Sequence, residues 1–208
     1  MDTKSAIAAS KIVAVVRLEE YTHAVQVAEA LVRGGISVLE FTLTGRGAID
    51  AVSQVRAKLG SAAHVGIGTA LSAEDTEAAI SAGAQFVVTP AVREAVISAC
   101  VRRSVPAVCG GLTPTELLAA HEMGAEFVKL FPASVSGPRY VRDVLAPLPF
   151  LKIIPTGGVS ADNARLFLEA GAVAVGIGGN LVPPSAIAAG DFATVERNAR
   201  SCASAVRQ

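Results

Sequence analysis

Lys129 is the hardest residue in this sequence to explain as structure alone. It lies in the run EFVKLFPAS (126–134), among Phe127, Val128, Leu130 and Phe131. Lysine is rarely buried without a partner, so an amine in a strand-like apolar run calls for a chemical reading. A neutral lysine amine attacks ketones to form a Schiff base, and apolar surroundings favour the neutral form by desolvating the cation. Glu40 stands in a similar setting, VLEFTL (38–43), where a carboxyl can give and take protons. Arg17 ends the run KIVAVVR, and Thr44, Thr69 and Thr156 close or follow other apolar runs.

Two glycine pairs form a second constellation. PTGGVSADNA (155–164) carries Gly157 and Gly158, and VGIGGNLV (175–182) carries Gly178, Gly179 and Asn180. Glycine lets backbone N–H groups approach phosphate oxygens without interference from a Cβ atom. The Asn180 amide adds a donor. Either pair alone could equally serve a tight turn.

These residues need elements to position them. Strand-length apolar runs occur at 11–17, 38–43, 64–69, 85–90, 106–110, 127–132, 152–158 and 172–179. They start roughly 20 to 27 residues apart and alternate with Ala- and Glu-rich stretches of helical spacing. Ser72, Thr113–Pro114 with Glu116, and Ser160 signal helix starts. Gly34–Gly35, Gly83, Gly124 and Gly171 fall where helices need a left-handed closing residue. Eight such units predict a (β/α)₈ barrel forming one domain over residues 1–208, its bottom closed by a short helix over residues 2–10. An open doubly wound sheet is the alternative, though the first strand lacks GxGxxG.

Barrel sites lie at the C-terminal ends of the strands. Period-2 alternation puts Glu40, Thr42 and Thr44 on one face of the second strand, and Lys129 with Phe127 and Phe131 on one face of the sixth. The glycine pairs fall in the loops after strands seven and eight, a recurrent phosphate site in barrels. A purely structural alternative stays open, in which Lys129 and Glu40 are a buried ion pair bridging strands.

Composition narrows the field. Lys+Arg and Asp+Glu both number 18, so the formal charge is zero and offers no footprint for nucleic acid or anionic membrane. Aromatics at 4% disfavour base stacking. Cys100, Cys109 and Cys202 lack CxxC spacing, and His23, His64 and His121 lie far apart, so neither a disulfide framework nor a metal site is expected. The polar start MDTKSAIAAS does not read as a signal peptide, and no apolar run is long enough to span a membrane. A cytoplasmic protein is expected.

IVAVVR, GGISVLEFTLT, GIGTAL, GGLTPTE, VKLFPAS and PTGGV, in this order from about residue 4 to about residue 200, resemble the class I 2-keto-3-deoxy-6-phosphogluconate (KDPG) aldolases. These overlap the 4-hydroxy-2-oxoglutarate (KHG) aldolases. The resemblance implies a (β/α)₈ barrel, usually homotrimeric, that cleaves a 2-keto-4-hydroxy acid to pyruvate and an aldehyde without metal or other cofactor, as in the Entner–Doudoroff pathway. It implies Lys129 as the Schiff-base lysine and Glu40 as general acid/base. Arg17 and Thr69 would line the pyruvate end, Phe131 would pack beside the lysine, and Thr156 would sit at the end of strand seven. Gly157, Gly158, Gly178 and Gly179 would form the phosphate loops. Two places depart from the family pattern. Where many members have the arginine of TLRT, this sequence has Thr44, and the nearest arginine is Arg46. Where the strand-eight loop often supplies a serine, it has Gly179 and Asn180. The expected substrate is 2-dehydro-3-deoxy-6-phosphogluconate, with 4-hydroxy-2-oxoglutarate or the galactonate epimer as variants. A phosphate-binding barrel isomerase, epimerase or synthase, or a non-catalytic sugar-phosphate binder, would share the glycine loops but need no Schiff base.

Overall fold

Each of the eight apolar runs forms a strand in the computed structural model, which describes residues 1–207, the fifth strand reaching one residue past its run. The strands are β1 (Ile12–Val16), β2 (Val38–Thr42), β3 (His64–Gly68), β4 (Val87–Val88), β5 (Ala107–Gly111), β6 (Phe127–Leu130), β7 (Ile153–Pro155) and β8 (Val175–Ile177). Most are shorter than their runs, because the outermost residues leave the ladder to form the rim. All pair in parallel, in the order β7-β6-β5-β4-β3-β2-β1-β8. A parallel bridge between Thr156 and Gly176 joins the two ends, and the Val173 N–H donates to the Ile153 carbonyl at 3.0 Å. That closure makes a barrel rather than an open sheet.

The helices are α1 (Thr3–Ser10), α2 (Ala24–Arg33), α3 (Ala48–Leu59), α4 (Ala73–Ser81), α5 (Glu94–Arg102), α6 (Pro114–Glu122), α7 (Gly137–Leu145), α8 (Ala164–Glu169), α9 (Pro184–Ala188) and α10 (Phe192–Ala205). Ser72 caps α4 by accepting from the Asp75 N–H at 3.1 Å, and Thr113 with Glu116 makes a reciprocal capping box on α6. The start expected at Ser160 differs. The Ser160 N–H donates to Asn163 Oδ1 at 2.9 Å, and this turn delays α8 until Ala164. Gly35, Gly83, Gly124 and Gly171 close helices at φ of +93°, +104°, +102° and +106°. Gly34 serves otherwise. Its φ is −75°, and a Cβ there would overlap Ala199 of α10 and come within 2.7 Å of the Glu196 carbonyl. It lets α2 and α10 pack closely.

The apolar residues form two clusters. The larger lies between strands and helices and takes Val16, Leu39, Phe41, Val128 and Leu130. The smaller fills the barrel with Val13, Val38, Phe86, Val108, Phe127 and Ile154. Ala6 and Ile7 of α1 belong to it and plug the bottom, as the sequence suggests. With Leu39 and Phe41 outside, alternation turns Glu40 inward, and Phe127 inside brings Lys129 inside. Among the described residues, no helix is long and apolar enough to cross a membrane.

Candidate active site

Above the apolar floor, Glu40 pairs in register with Val15 of β1 and Gly66 of β3, while Lys129 pairs with Gly110 of β5 and Ile154 of β7. Glu40 is 2% exposed and Lys129 4%, the two buried charged side chains among the described residues. Of the five lysines (Lys4, Lys11, Lys58, Lys129 and Lys152), Lys129 alone is buried. Its Nζ lies 4.9 Å from the centre of the Phe131 ring, within cation–π range when protonated.

The pair is not a structural ion pair. No hydrogen bond or salt bridge joins it among the described residues, and Glu40 Oε1 is buried without a hydrogen-bond partner. Burial pushes the Glu40 carboxyl above the ordinary carboxylate range, while the positive charges of Lys129 and then Arg17 pull part of the way back. A buried carboxyl left unpartnered is costly, and it leaves proton-transfer capacity next to the one buried amine.

Glycines on the inward face make room for these groups. A Cβ on Gly68 would overlap Glu40 Oε1 and lie 2.6 Å from its Cδ, and one on Gly66 would lie 2.7 Å from the Phe86 ring. Gly176 does the same for Thr156, whose Cγ2 would be 2.8 Å away. Gly68 and Gly176 stand in no motif that marks them as part of a site. Glycine at alternate positions of HVGIG was the available signal, since strand glycines mark close approaches.

A cavity of about 290 Å³ opens at the C-terminal end of the barrel. Arg17, Phe131 and Thr156 line it together with Gly157, Gly158, Gly178, Gly179 and Asn180. Lys129 and Glu40 do not line its wall; Lys129 connects to it through Phe131. Gly157 and Gly158 have φ of +89° and +81°. Gly158 faces Ser134, so that a Cβ there would be 2.6 Å from the Ser134 Cβ. The Asn198 side chain donates to the Asn180 carbonyl at 3.1 Å and ties the strand-eight loop to α10. A neighbouring cavity of about 790 Å³ shares Arg17 and takes in Thr44 and His23.

The remaining residues take particular places. Thr69 lines neither cavity; it is half-buried at the end of β3 with φ +60°, a strained conformation for a β-branched residue. Arg46 pairs with Glu20 on the exposed outer rim, so it does not take the place of an arginine at position 44. Cys109 points outward into the larger core, away from the site. Among the described residues no cluster of three or more potential metal-ligating His, Cys, Asp or Glu side chains forms.

Residues 3–198 match the family described as aldolase, KDPG and KHG aldolase. The chain is 36% identical over 186 residues to the 2-dehydro-3-deoxy-phosphogluconate aldolase of Treponema pallidum (strain Nichols), covering 89% of this chain and 88% of that one. It is 35% identical over 199 residues to the KHG/KDPG aldolase of Escherichia coli (strain K12), covering 95% and 92%. It superimposes with a TM-score of 0.88 and 28% identity on KDPG aldolase from Legionella pneumophila, a structure with pyruvate captured as a covalent carbinolamine intermediate, covering 97% of this chain and 98% of that one. Parallel barrel, buried amine and unpartnered carboxyl thus define a (β/α)₈-barrel lyase that makes or breaks carbon–carbon bonds. Within that class, the chain belongs to the KDPG and KHG aldolase family.

Proposed function

We propose that this enzyme is a Schiff-base aldolase that cleaves 2-dehydro-3-deoxy-6-phosphogluconate to pyruvate and glyceraldehyde 3-phosphate, and 4-hydroxy-2-oxoglutarate to pyruvate and glyoxylate. One observation carries the reading. The barrel buries one lysine and one carboxyl close enough to influence each other, yet does not pair them. Two groups that only stabilised the fold would satisfy each other; unpaired, they are available to a substrate.

In this reading the neutral Lys129 amine attacks the C2 ketone, and loss of water gives an iminium. Glu40 takes the C4 hydroxyl proton as the C3–C4 bond breaks and its electrons enter the iminium. The aldehyde leaves, the enamine takes a proton at C3, and hydrolysis releases pyruvate and restores the amine. Arg17, Thr44 and Thr69 serve the carboxylate end, and Phe131 and Thr156 wall the reacting carbons. The backbone N–H groups of Gly157, Gly158, Gly179 and Asn180 are suited to a terminal phosphate. The family resemblance also supports one domain over residues 1–208 acting as a cytoplasmic homotrimer, which sedimentation equilibrium checks.

The test is to incubate the enzyme with pyruvate, reduce with borohydride and map the adduct by mass spectrometry. The adduct is expected on the peptide containing Lys129, and Lys129→Ala is expected to abolish both adduct and turnover. No adduct, or one confined to another lysine, refutes the reading. Comparing kcat/KM for the gluconate and galactonate epimers, with and without phosphate, assigns the substrate.

A further inference from the structure

We infer that the bottom of the barrel carries a second anion site, at the opposite end from the glycine loops and suited to a phosphate group, free or on a small organic molecule. A cavity of about 550 Å³ opens there between α1, the starts of β1, β2 and β3, and the end of α10. Lys11, His64 and Arg207 line it with the hydroxyl side chains of Ser37 and Ser61, and among the described residues no acidic side chain does. Lys11 closes α1 at φ +58°, a left-handed position where glycine is the usual residue, so a cation is held there at a conformational cost.

The placing of charge singles this cavity out on a chain whose formal charge is zero. Eleven of the 18 lysines and arginines make ion pairs among the described residues. Of the others, Arg17 and Lys129 belong to the open end, Arg93 stands at the start of α5 and Arg142 on α7. Lys11, Arg56 and Arg207 gather at the bottom. His64 senses their field. Burial first, then the positive charges of the Met1 amino group and Arg56, push its imidazole below the ordinary histidine value, and Asp2 pulls the other way. The Asp2 carboxylate is engaged in capping α1, where it accepts from the Ser5 N–H at 2.9 Å. The Arg207 guanidinium donates to the Gly35 carbonyl at 3.5 Å, which leaves its charge uncompensated. Two such cations, two hydroxyls and an imidazole around one cavity make a donor set for phosphate, whose negative oxygens supply the missing countercharge.

The test follows the histidine ring protons by NMR as pH is varied, in sodium sulfate against sodium chloride of equal ionic strength. Sulfate has the shape of phosphate and keeps its double charge throughout. His64→Gln identifies the His64 signal, and His121, which packs beside Phe150, is the control. A bound dianion favours the protonated imidazole, so sulfate is expected to raise the proton affinity of His64 at least about threefold and to leave that of His121 unchanged. Inorganic phosphate at neutral pH is expected to move the same signal saturably. Lys11→Gly, which also relieves the left-handed backbone, and Arg207→Gln are each expected to weaken phosphate binding about tenfold, as for one hydrogen bond from a charged donor. Gly158→Ala, at the other end of the barrel, is expected to leave the His64 response intact. A response equal in chloride, one shared by His121, or one lost in Gly158→Ala overturns the site. So does wild-type phosphate affinity in both Lys11→Gly and Arg207→Gln; should one of these fail to fold, the other decides.

Discussion

Gly68 offers a direct test of whether the Glu40 geometry matters. Its φ lies outside the left-handed region, so Gly68→Ala adds a methyl group without backbone strain. The new Cβ would overlap Glu40 Oε1 and stand 2.6 Å from Cδ and 2.7 Å from Cγ, where ordinary contact begins near 3.4 Å. The carboxyl must therefore move by roughly 1 Å, a displacement that can cost an active site about 10²-fold in rate. Overpacking of this kind costs about 1–3 kcal/mol, or roughly 2–12 °C in Tm for a chain of this size. Both readouts should depend on Glu40. In a Glu40→Ala background the methyl group enters vacated space, and the stability cost of Gly68→Ala should nearly vanish. Thermal or urea unfolding of the four proteins measures the coupling, and kcat/KM of Gly68→Ala measures the displacement. An equal cost of Gly68→Ala with and without Glu40, or wild-type kcat/KM in Gly68→Ala, would refute the reasoning.

Two more outcomes follow from the site. Burial raises the Glu40 carboxyl above its ordinary 4.5, so the acid limb of the kcat/KM profile should lie above that value, and Glu40→Gln should remove it along with most activity. A raised carboxyl favours the fold while protonated; that contribution is complete below the unfolded value and lost as pH rises through the folded one. Glu40→Gln should therefore gain stability over the wild type as pH rises above the ordinary carboxylate value, and a pH-independent difference in urea unfolding contradicts this. Gly158 has φ +81° and faces Ser134, so Gly158→Ala should distort the loop and raise KM at least about tenfold for the phosphorylated substrate while sparing 4-hydroxy-2-oxoglutarate. Equal losses on both substrates would place the phosphate elsewhere.

Much of the architecture was legible because its signals are local. Alternation in VLEFTL and EFVKLFPAS is enough to turn Glu40 and Lys129 to one side. Helix caps at Ser72 and Thr113 and closing glycines such as Gly83 and Gly124 sit within a few residues of the elements they delimit. Ser160 differs because its N–H is taken by the Asn163 side chain, three residues on, in a turn that precedes the helix. The glycine loops were readable as a pair because strand order alone places them side by side.

The sequence alone thus determined an alternating barrel with an amine, a carboxyl and two glycine loops at its open end. Only the tertiary structure decided that Lys129 and Glu40 remain unpaired, that Gly68 clears the space for the carboxyl, and that Arg46 is held by Glu20 away from Thr44. It also decided that Tyr21, which no motif marks, completes the hydrogen bonds between the ends of β1 and β2. The physical reason is range. Periodicity and turn chemistry act over a few residues of one chain segment. Pairing and clearance depend on ångström distances between strands that are neighbours only once the barrel has closed.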